Sequence, residues 1–238
     1  MCQWEQVIEA MRQNGGYATF NQLNHLVDVS EWKSKTPEAS IRRIVQERNE
    51  FFRIQPGLWA LEEARDSVLT KFQLKNPESL EATAFTHAYY QGLLVEIGNF
   101  KNLDTCVPAQ DKNRKYLMTP LREICSLEKI YNFSYRKIMK QAKTVDVVWF
   151  NSRKLPCAFF EVEHSTDFRR SLSKFYELQD FYARFFIVAA RERERLFQSV
   201  ISESIYTEIR KRVEFLDYEA LTKQYTNQHA LSKIGTLL

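Results

Sequence analysis

The sequence predicts a two-part α/β (α+β) protein, and three observations predict it. Residues 1–62 read as three helices followed by a β-hairpin. From about residue 79 the order becomes helix, strand, strand, strand, helix, strand. The strand runs in that second part, such as VDVVWF and CAFFEVE, are apolar nearly throughout but carry isolated acids. A sheet covered on both faces gives such runs, and charges inside it need a reason.

In the first part, Trp4, Val7, Ile8 and Met11 fall at helical spacing, and Asn14-Gly15-Gly16 stops that helix. Thr19 is placed to cap a second helix with an apolar face of Phe20, Leu23, Leu26 and Val27. After a polar loop, Thr36-Pro37-Glu38 starts a third helix. Thr36 is the expected side-chain cap and Pro37 takes the first helical position. Phe51 to Ile54 and Leu58 to Leu61 are extended runs, and Gln55-Pro56-Gly57 turns between them.

This order resembles the winged helix-turn-helix modules attached to bacterial restriction-type proteins, with FFRIQPGLWAL the best local signature. The resemblance implies that residues 37–48 form a recognition helix. Ser40, Arg42, Arg43 and Arg48 would contact a groove or phosphates, and Lys33 and Lys35 the backbone. Seven bases against eight acids leave residues 1–62 at a net −1, so the domain is not basic overall and packing against a partner is the rival role. Residues 63–78 read as a linker, with a break at Asn76-Pro77.

The second part opens with a helix over about 79–98, then a short strand at 104–108. Strands follow at 145–150 and 157–163, with a turn at 151–154 between them. A helix over 167–182 carries Phe168, Leu172, Phe175, Leu178 and Tyr182, and RFFIVA (184–189) is a buried strand. A charged helix from 191, a strand at 213–216 and a last helix from 218 complete the chain.

The chemistry centres on Asp146, Glu161 and Glu163. A short turn makes their strands antiparallel neighbours, and Glu161 and Glu163, two apart, share one face. Carboxylates crowded among apolar strand positions repel one another unless a cation neutralises them. Ordinary acids on a solvated strand face are the plain alternative. Carboxylate oxygens splayed apart, or a lysine or arginine held permanently on them in place of an ion, would overturn the hydrolysis reading.

Asp146, followed by Glu161-Val162-Glu163 at the end of the next strand and then a helix, resembles the PD-(D/E)XK (restriction endonuclease-like) nuclease superfamily over residues 79–188. That implies a mixed central sheet flanked by helices, with 79–238 the nuclease-like domain and 189–238 a peripheral extension. It implies Mg2+ (or Mn2+) held by Asp146 and Glu161, with Glu96 of the first helix and Glu163 completing the ligands. The family's E-x-K lysine is Glu163 here, as glutamate is in some restriction-type members, and it would serve as base or second-metal ligand. A basic group from the following helix, Lys174 or Arg170, is placed to reach in instead. Gln179 resembles the helix glutamine of some members, although Gln179 and Tyr182 are three apart where that subgroup has Q-x-x-x-Y. His164 is expected to point away from the acids, and His87 reads as ordinary, with facing the site as the lesser alternative.

Residues 109–143 carry nine bases against three acids, a local net of +6, with Lys112, Arg114 and Lys115 leading it. Such an excess suits a polyanion. The expected function is therefore a metal-dependent endonuclease cutting double-stranded DNA in restriction or antiviral defence, as a homodimer because two strands need two sites. The alternatives are an inactive nuclease-fold DNA-binding protein and a transcriptional regulator. Four cysteines without a C-x-x-C pair argue against zinc or disulfides. No apolar run approaches the ~20 residues of a membrane helix, and the N-terminus lacks a signal-peptide layout. A cytoplasmic location is expected.

Overall fold

A computed structural model describes residues 2–164 and 167–235, with side chains to residue 232 in the last stretch. The chain divides into two compact units, Met1–Ala82 and Thr83–Leu238.

The first unit runs α1 (Gln3–Gln13), β1 (Tyr17–Thr19), α2 (Phe20–Leu26), α3 (Pro37–Glu47), β2 (Phe51–Gln55), β3 (Leu58–Leu61) and α4 (Arg65–Lys71). Apolar stripes of the three leading helices meet in one core, in which Val7, Met11, Leu23, Ile41 and Val45 are almost fully buried. The strands form an antiparallel sheet in the order β1-β3-β2. β1 is unforeseen; three residues are too few for a period to show. Thr19 caps α2 as expected: its hydroxyl accepts from Gln22 N at 3.2 Å, and Gln22 Oε1 accepts from Thr19 N at 2.9 Å. Thr36 makes no side-chain cap; Ser34 Oγ instead accepts from the Thr36 amide at 3.2 Å. Leu26 is 46% exposed, because α2 ends there and the chain turns extended to bury Val27. Gly16, at φ +87°, lies where an added Cβ would meet Ala64 Cβ at 2.6 Å, so only glycine fits. The stretch read as a linker contains α4, which buries Val68 and precedes Phe72, whose ring meets Tyr17 edge-on at 4.8 Å.

The second unit continues α5 (Leu80–Phe100) into β4 (Asp104–Cys106), a two-residue hairpin of β5 (Lys115–Tyr116) and β6 (Thr119–Pro120), α6 (Leu121–Ile124) and α7 (Arg136–Ala142). Then come β7 (Val147–Phe150), β8 (Pro156–Glu163), α8 (Arg169–Glu177), β9 (Arg184–Ala189), α9 (Glu194–Ile201), β10 (Val213–Asp217) and α10 (Tyr218–Gly235). The sheet order is β10-β9-β8-β7-β4, antiparallel across β4, β7 and β8 and parallel across β8, β9 and β10. The class is thus the mixed α/β that was expected. On one face Phe159, Phe185 and Ile187 pack with Phe168, Leu172 and Phe175 of the α8 region. On the other, the Trp149 ring lies tilted against Phe160, 4.4 Å between centroids, and donates from Nε1 to Leu94 O of α5 at 3.0 Å. Gly98 of α5 comes so close that an added Cβ would stand 2.5 Å from Thr105 Cγ2 and 2.8 Å from Trp149 Nε1.

Two expectations need correction here. The helix read over 167–182 spans only Arg169–Glu177, and Tyr182 is fully exposed rather than on an apolar face. Arg212 explains the early end, since its guanidinium donates to the carbonyls of Gln179, Phe181 and Ala183 and holds that backbone out of helical pairing. The stretch 189–238 is no periphery: β10 adds the fifth strand, and Ile209, Val213, Leu216 and Leu221 are buried.

Candidate active site

The antiparallel register of β7 and β8 pairs Val147 with Phe160, which sets Asp146 and Glu161 next to each other at the end of that ladder. Asp146 Oδ2 accepts from Val162 N at 2.8 Å, so β8 backbone fixes the aspartate. Glu161 is 3% exposed. Both of its oxygens accept from Lys174 Nζ, at 2.8 and 2.7 Å, and Lys174 also donates to Thr144 O at 2.9 Å. Ser171, one turn earlier on α8, puts its hydroxyl between Glu161 Oε2, at 3.0 Å, and Glu163 Oε1. Glu161 and Glu163 therefore do project to one side of β8, as their spacing requires.

α5 supplies the opposite wall. His87, Gln91, Leu94 and Gly98 recur at four, three and four residues, a single helical stripe. His87 Nε2 lies 3.5 Å from Asp146 Oδ1 and 4.0 Å from Asp111 Oδ2. Gln91 is fully buried and donates from Nε2 to Asp111 Oδ2 at 3.0 Å and to Asp146 O at 3.1 Å. Arg114 Nε meets Asp111 Oδ1 at 2.9 Å.

The electrostatics are unbalanced. Asp111, Asp146 and Glu161 are all buried, and among the described residues their ion pairs come from Lys174 and Arg114, apart from the His87 contacts. Three carboxyl groups thus face two permanent cations and one histidine. Burial, and then the charge of Asp146, push the Glu161 carboxyl well above the usual carboxylate range, against the pull of Lys174 and Ser171. Burial disfavours a charged His87, but its hydrogen bond to Asp146 and the charges of Asp146 and Asp111 outweigh that and raise it. Burial, then His87 and Arg193, lower His164 to about 4, so that ring is neutral at neutral pH.

The structure brings together only some of the residues picked from sequence. Asp146, Glu161, Glu163 and Lys174 converge. Glu96 does not: its carboxylate accepts from Tyr116 Oη at 3.0 Å and Tyr225 Oη at 2.6 Å. It stands nine residues after His87, which on an α-helix is half a circle away. Gln179 lies beyond the end of α8, with its carbonyl on Arg212. Arg170 is exposed one turn before Lys174. In the basic stretch, Lys112 donates to Glu128 O, Arg114 is tied to Asp111, and Lys115 is exposed.

In the first unit, Lys33, Lys35, Arg42 and Arg43 are exposed. Ser40 Oγ lies 3.0 Å from Ser34 Oγ. Arg48 pairs with Glu50 at 2.7 Å and covers the Trp4 ring at 4.1 Å, so it is engaged within its own unit.

Sequence reasoning missed His87, Gln91, Asp111 and Ser171. The 87–91–94–98 stripe was the available signal for the first two. Asp111 sat unmarked in a basic stretch. His164, expected to point away, lies just past β8 with its ring 5.7 Å from that of His87 and Nδ1 2.9 Å from Tyr218 Oη.

The second unit is thus a mixed α/β unit with paired acids at the end of an antiparallel ladder and a helix lysine laid on one of them. The model of a protein family described as the Type II restriction enzyme NmeDI C-terminal domain matches residues 68–236, most of the chain, and the chain belongs to that family. Neither the curated proteins nor the solved structures contain a match to it.

Proposed function

We propose that the chain is a divalent-metal-dependent endonuclease that cuts double-stranded DNA in a restriction role, with a PD-(D/E)XK-type core in the second unit. The observation that carries this reading is the junction of Asp146 and Glu161 on adjacent strands, with His87 and Asp111 drawn in beside Asp146. The family match supports a restriction enzyme. The order α5, β4, β7, β8, α8, β9 supports the core as a helix–strand–strand–strand–helix–strand series, with β5, β6, α6 and α7 inserted between β4 and β7.

The residues fit a divalent cation. His87, Asp111 and Asp146 offer donor atoms within 4.8 Å of one another. A bound dication polarises the phosphate and makes water more acidic at neutral pH. The chain's own groups do the rest. Val162 N orients Asp146, and Gln91 orients Asp111. Lys174 spends its three donors on Thr144 O and the two Glu161 oxygens, so it neutralises and orients Glu161 and reaches a phosphate or water only by releasing one of them. Glu163, at the lysine position of the superfamily motif, supplies a base. Exposed Arg170 and Lys115 offer charge to flanking phosphates.

The first unit supports a winged helix-turn-helix reading by its order, helix–strand–helix–helix–strand–strand. In that reading α3 enters the major groove with Arg42 and Arg43, and Lys33 and Lys35 touch the backbone. A homodimer would present two sites to the two strands. Among the described residues no helix is long and apolar enough to cross a membrane.

The second reading is a non-cleaving DNA-binding protein. The Lys174 pair on Glu161 favours it, because that lysine already neutralises one expected metal ligand. Incubating the full-length protein with DNA of varied composition and Mg2+ or Mn2+ decides. Cleavage is expected, and Asp146→Asn, which keeps the acceptor for Val162 N, should lower it at least about 100-fold, as loss of a group acting in the transition state does. No cleavage with either ion, or full cleavage by Asp146→Asn, overturns the endonuclease reading.

A further inference from the structure

The wall that faces Asp146 is built from a nitrogen donor, and this bears on which cation the site takes. His87 Nε2 is directed at both aspartates, 3.5 Å from one and 4.0 Å from the other. Donors bound at about 2.1 Å to one ion stand about 3.0–3.5 Å apart when adjacent and about 4.2 Å apart when opposite. The two histidine distances fall in that range. All the donor atoms of the group lie within 4.8 Å of one another, so a small inward movement of the side chains brings them onto one ion.

Each aspartate is anchored through one oxygen and turns the other toward His87, although that second oxygen of Asp111 also accepts from Gln91 Nε2. Asp146 uses Oδ2 on Val162 N and presents Oδ1 to His87. Asp111 uses Oδ1 on Arg114 and presents Oδ2 toward His87 and Gln91. Gln91 gives a second, independent sign. It is fully buried, its nitrogen touches both aspartates, and its carboxamide oxygen has no hydrogen-bond partner among the described residues. A buried acceptor left over in the same group calls for a donor or a cation beside it.

We infer that His87, Asp111 and Asp146 bind a first-row transition-metal dication, Mn2+ or Co2+, in preference to Mg2+, with His87 Nε2 as a direct ligand and Gln91 as a positioning residue. This rests on the metal-dependent reading above and adds the kind of metal. Mg2+ takes oxygen ligands and gives up water reluctantly. Imidazole suits the later ions, whose affinity for such sites rises along the series from Mn2+ to Co2+. Glu161, occupied by Lys174 and Ser171, lies outside this ligand set.

The test is direct binding to the full-length protein, with Mg2+, Mn2+ and Co2+ as probes. Calorimetric titration should show Mn2+ binding at least 10-fold tighter than Mg2+. Bound Mn2+ should show electron-spin coupling to an imidazole nitrogen, and bound Co2+ a ligand-field absorption. His87→Gln, which replaces the nitrogen with an oxygen donor of similar reach, should bring the Mn2+ to Mg2+ ratio near one and remove the nitrogen coupling. His87→Ala should lower Mn2+ affinity at least 10-fold, with folding confirmed by circular dichroism. An unchanged ratio in His87→Gln, absent nitrogen coupling, or no binding of any of the three ions overturns the inference. If Asp146→Asn abolishes cleavage while the ion ratio ignores His87, only the inference about the ligand fails. If Asp146→Asn cleaves normally, the endonuclease reading fails first.

Discussion

Lys174 Nζ is bonded to both carboxylate oxygens of Glu161, at 2.7 and 2.8 Å, from thirteen residues away on the next helix. The side chains are 13% and 3% exposed, so the pair is almost dry. Removing one partner of such a pair leaves a buried charge and costs about 3–5 kcal/mol. Lys174→Met should therefore lose that much stability in urea denaturation, together with DNA cleavage. The double variant Lys174→Met, Glu161→Gln should recover most of the stability and none of the cleavage. Recovery of cleavage in the double variant would show that neither group acts in the reaction.

Glu96 gives a pH prediction of its own. Burial raises its carboxyl above the ordinary range, against the hydrogen bonds from Tyr225 and Tyr116. A folded value above the unfolded one means the folded state holds the proton longer. Below the ordinary value of about 4.3 both states are protonated, and the contribution to stability is intact. As pH rises through the folded value, that stability is lost. Glu96→Gln keeps an acceptor for both tyrosines without the ionisation. Relative to wild type, its stability should improve as pH rises above the ordinary carboxylate range and level off once the folded-state Glu96 has ionised, with unfolding followed in urea. A difference that stays flat with pH would show that Glu96 does not titrate in that interval.

Arg42 and Arg43 are exposed on α3, whereas Arg48 is spent on Glu50 and Trp4. If α3 reads DNA, replacing Arg42 and Arg43 with alanine should weaken duplex binding and reduce the salt slope by up to about 1.8, at about 0.9 per phosphate contact. Arg48→Ala should change stability and leave the salt slope alone. Fluorescence anisotropy against ionic strength separates the two, and an unchanged slope in the Arg42, Arg43 variant would remove α3 from the interface.

How much of this was legible follows from which signals are local. RFFIVA gave β9 at its observed limits, and the strands around Asp146 and Glu161 were off by one or two residues. A period-2 face placed Glu161 and Glu163 together without any structure. Lys174 was reachable for the same reason, since a helix follows β8 closely. Glu96 went wrong because the helix was recognised but its rotation was not. Ala88, Leu94, Val95 and Ile97 are all buried, so α5 has apolar residues on every side and no polar face to orient it. Asp111 could not be found from spacing at all, because Gln91, twenty residues earlier, is what draws it to Asp146. β1, β5 and β6 are too short to carry a period, and α4 hid in a stretch whose charges read as a linker.

Gly98 turns α5 into a rigid gauge with its zero at one end. With no side chain, that residue lets the helix axis settle against Thr105 and Trp149. His87 stands eleven residues earlier, about 16 Å along the axis at 1.5 Å per residue. Any group added at position 98 must raise that end, and because a helix does not fold like a hinge, the imidazole at the other end tilts with it. A methyl group remote from every acid would thus mistune the distance from nitrogen to carboxylate, so that Gly98→Ala should change ion affinity before it changes the secondary structure.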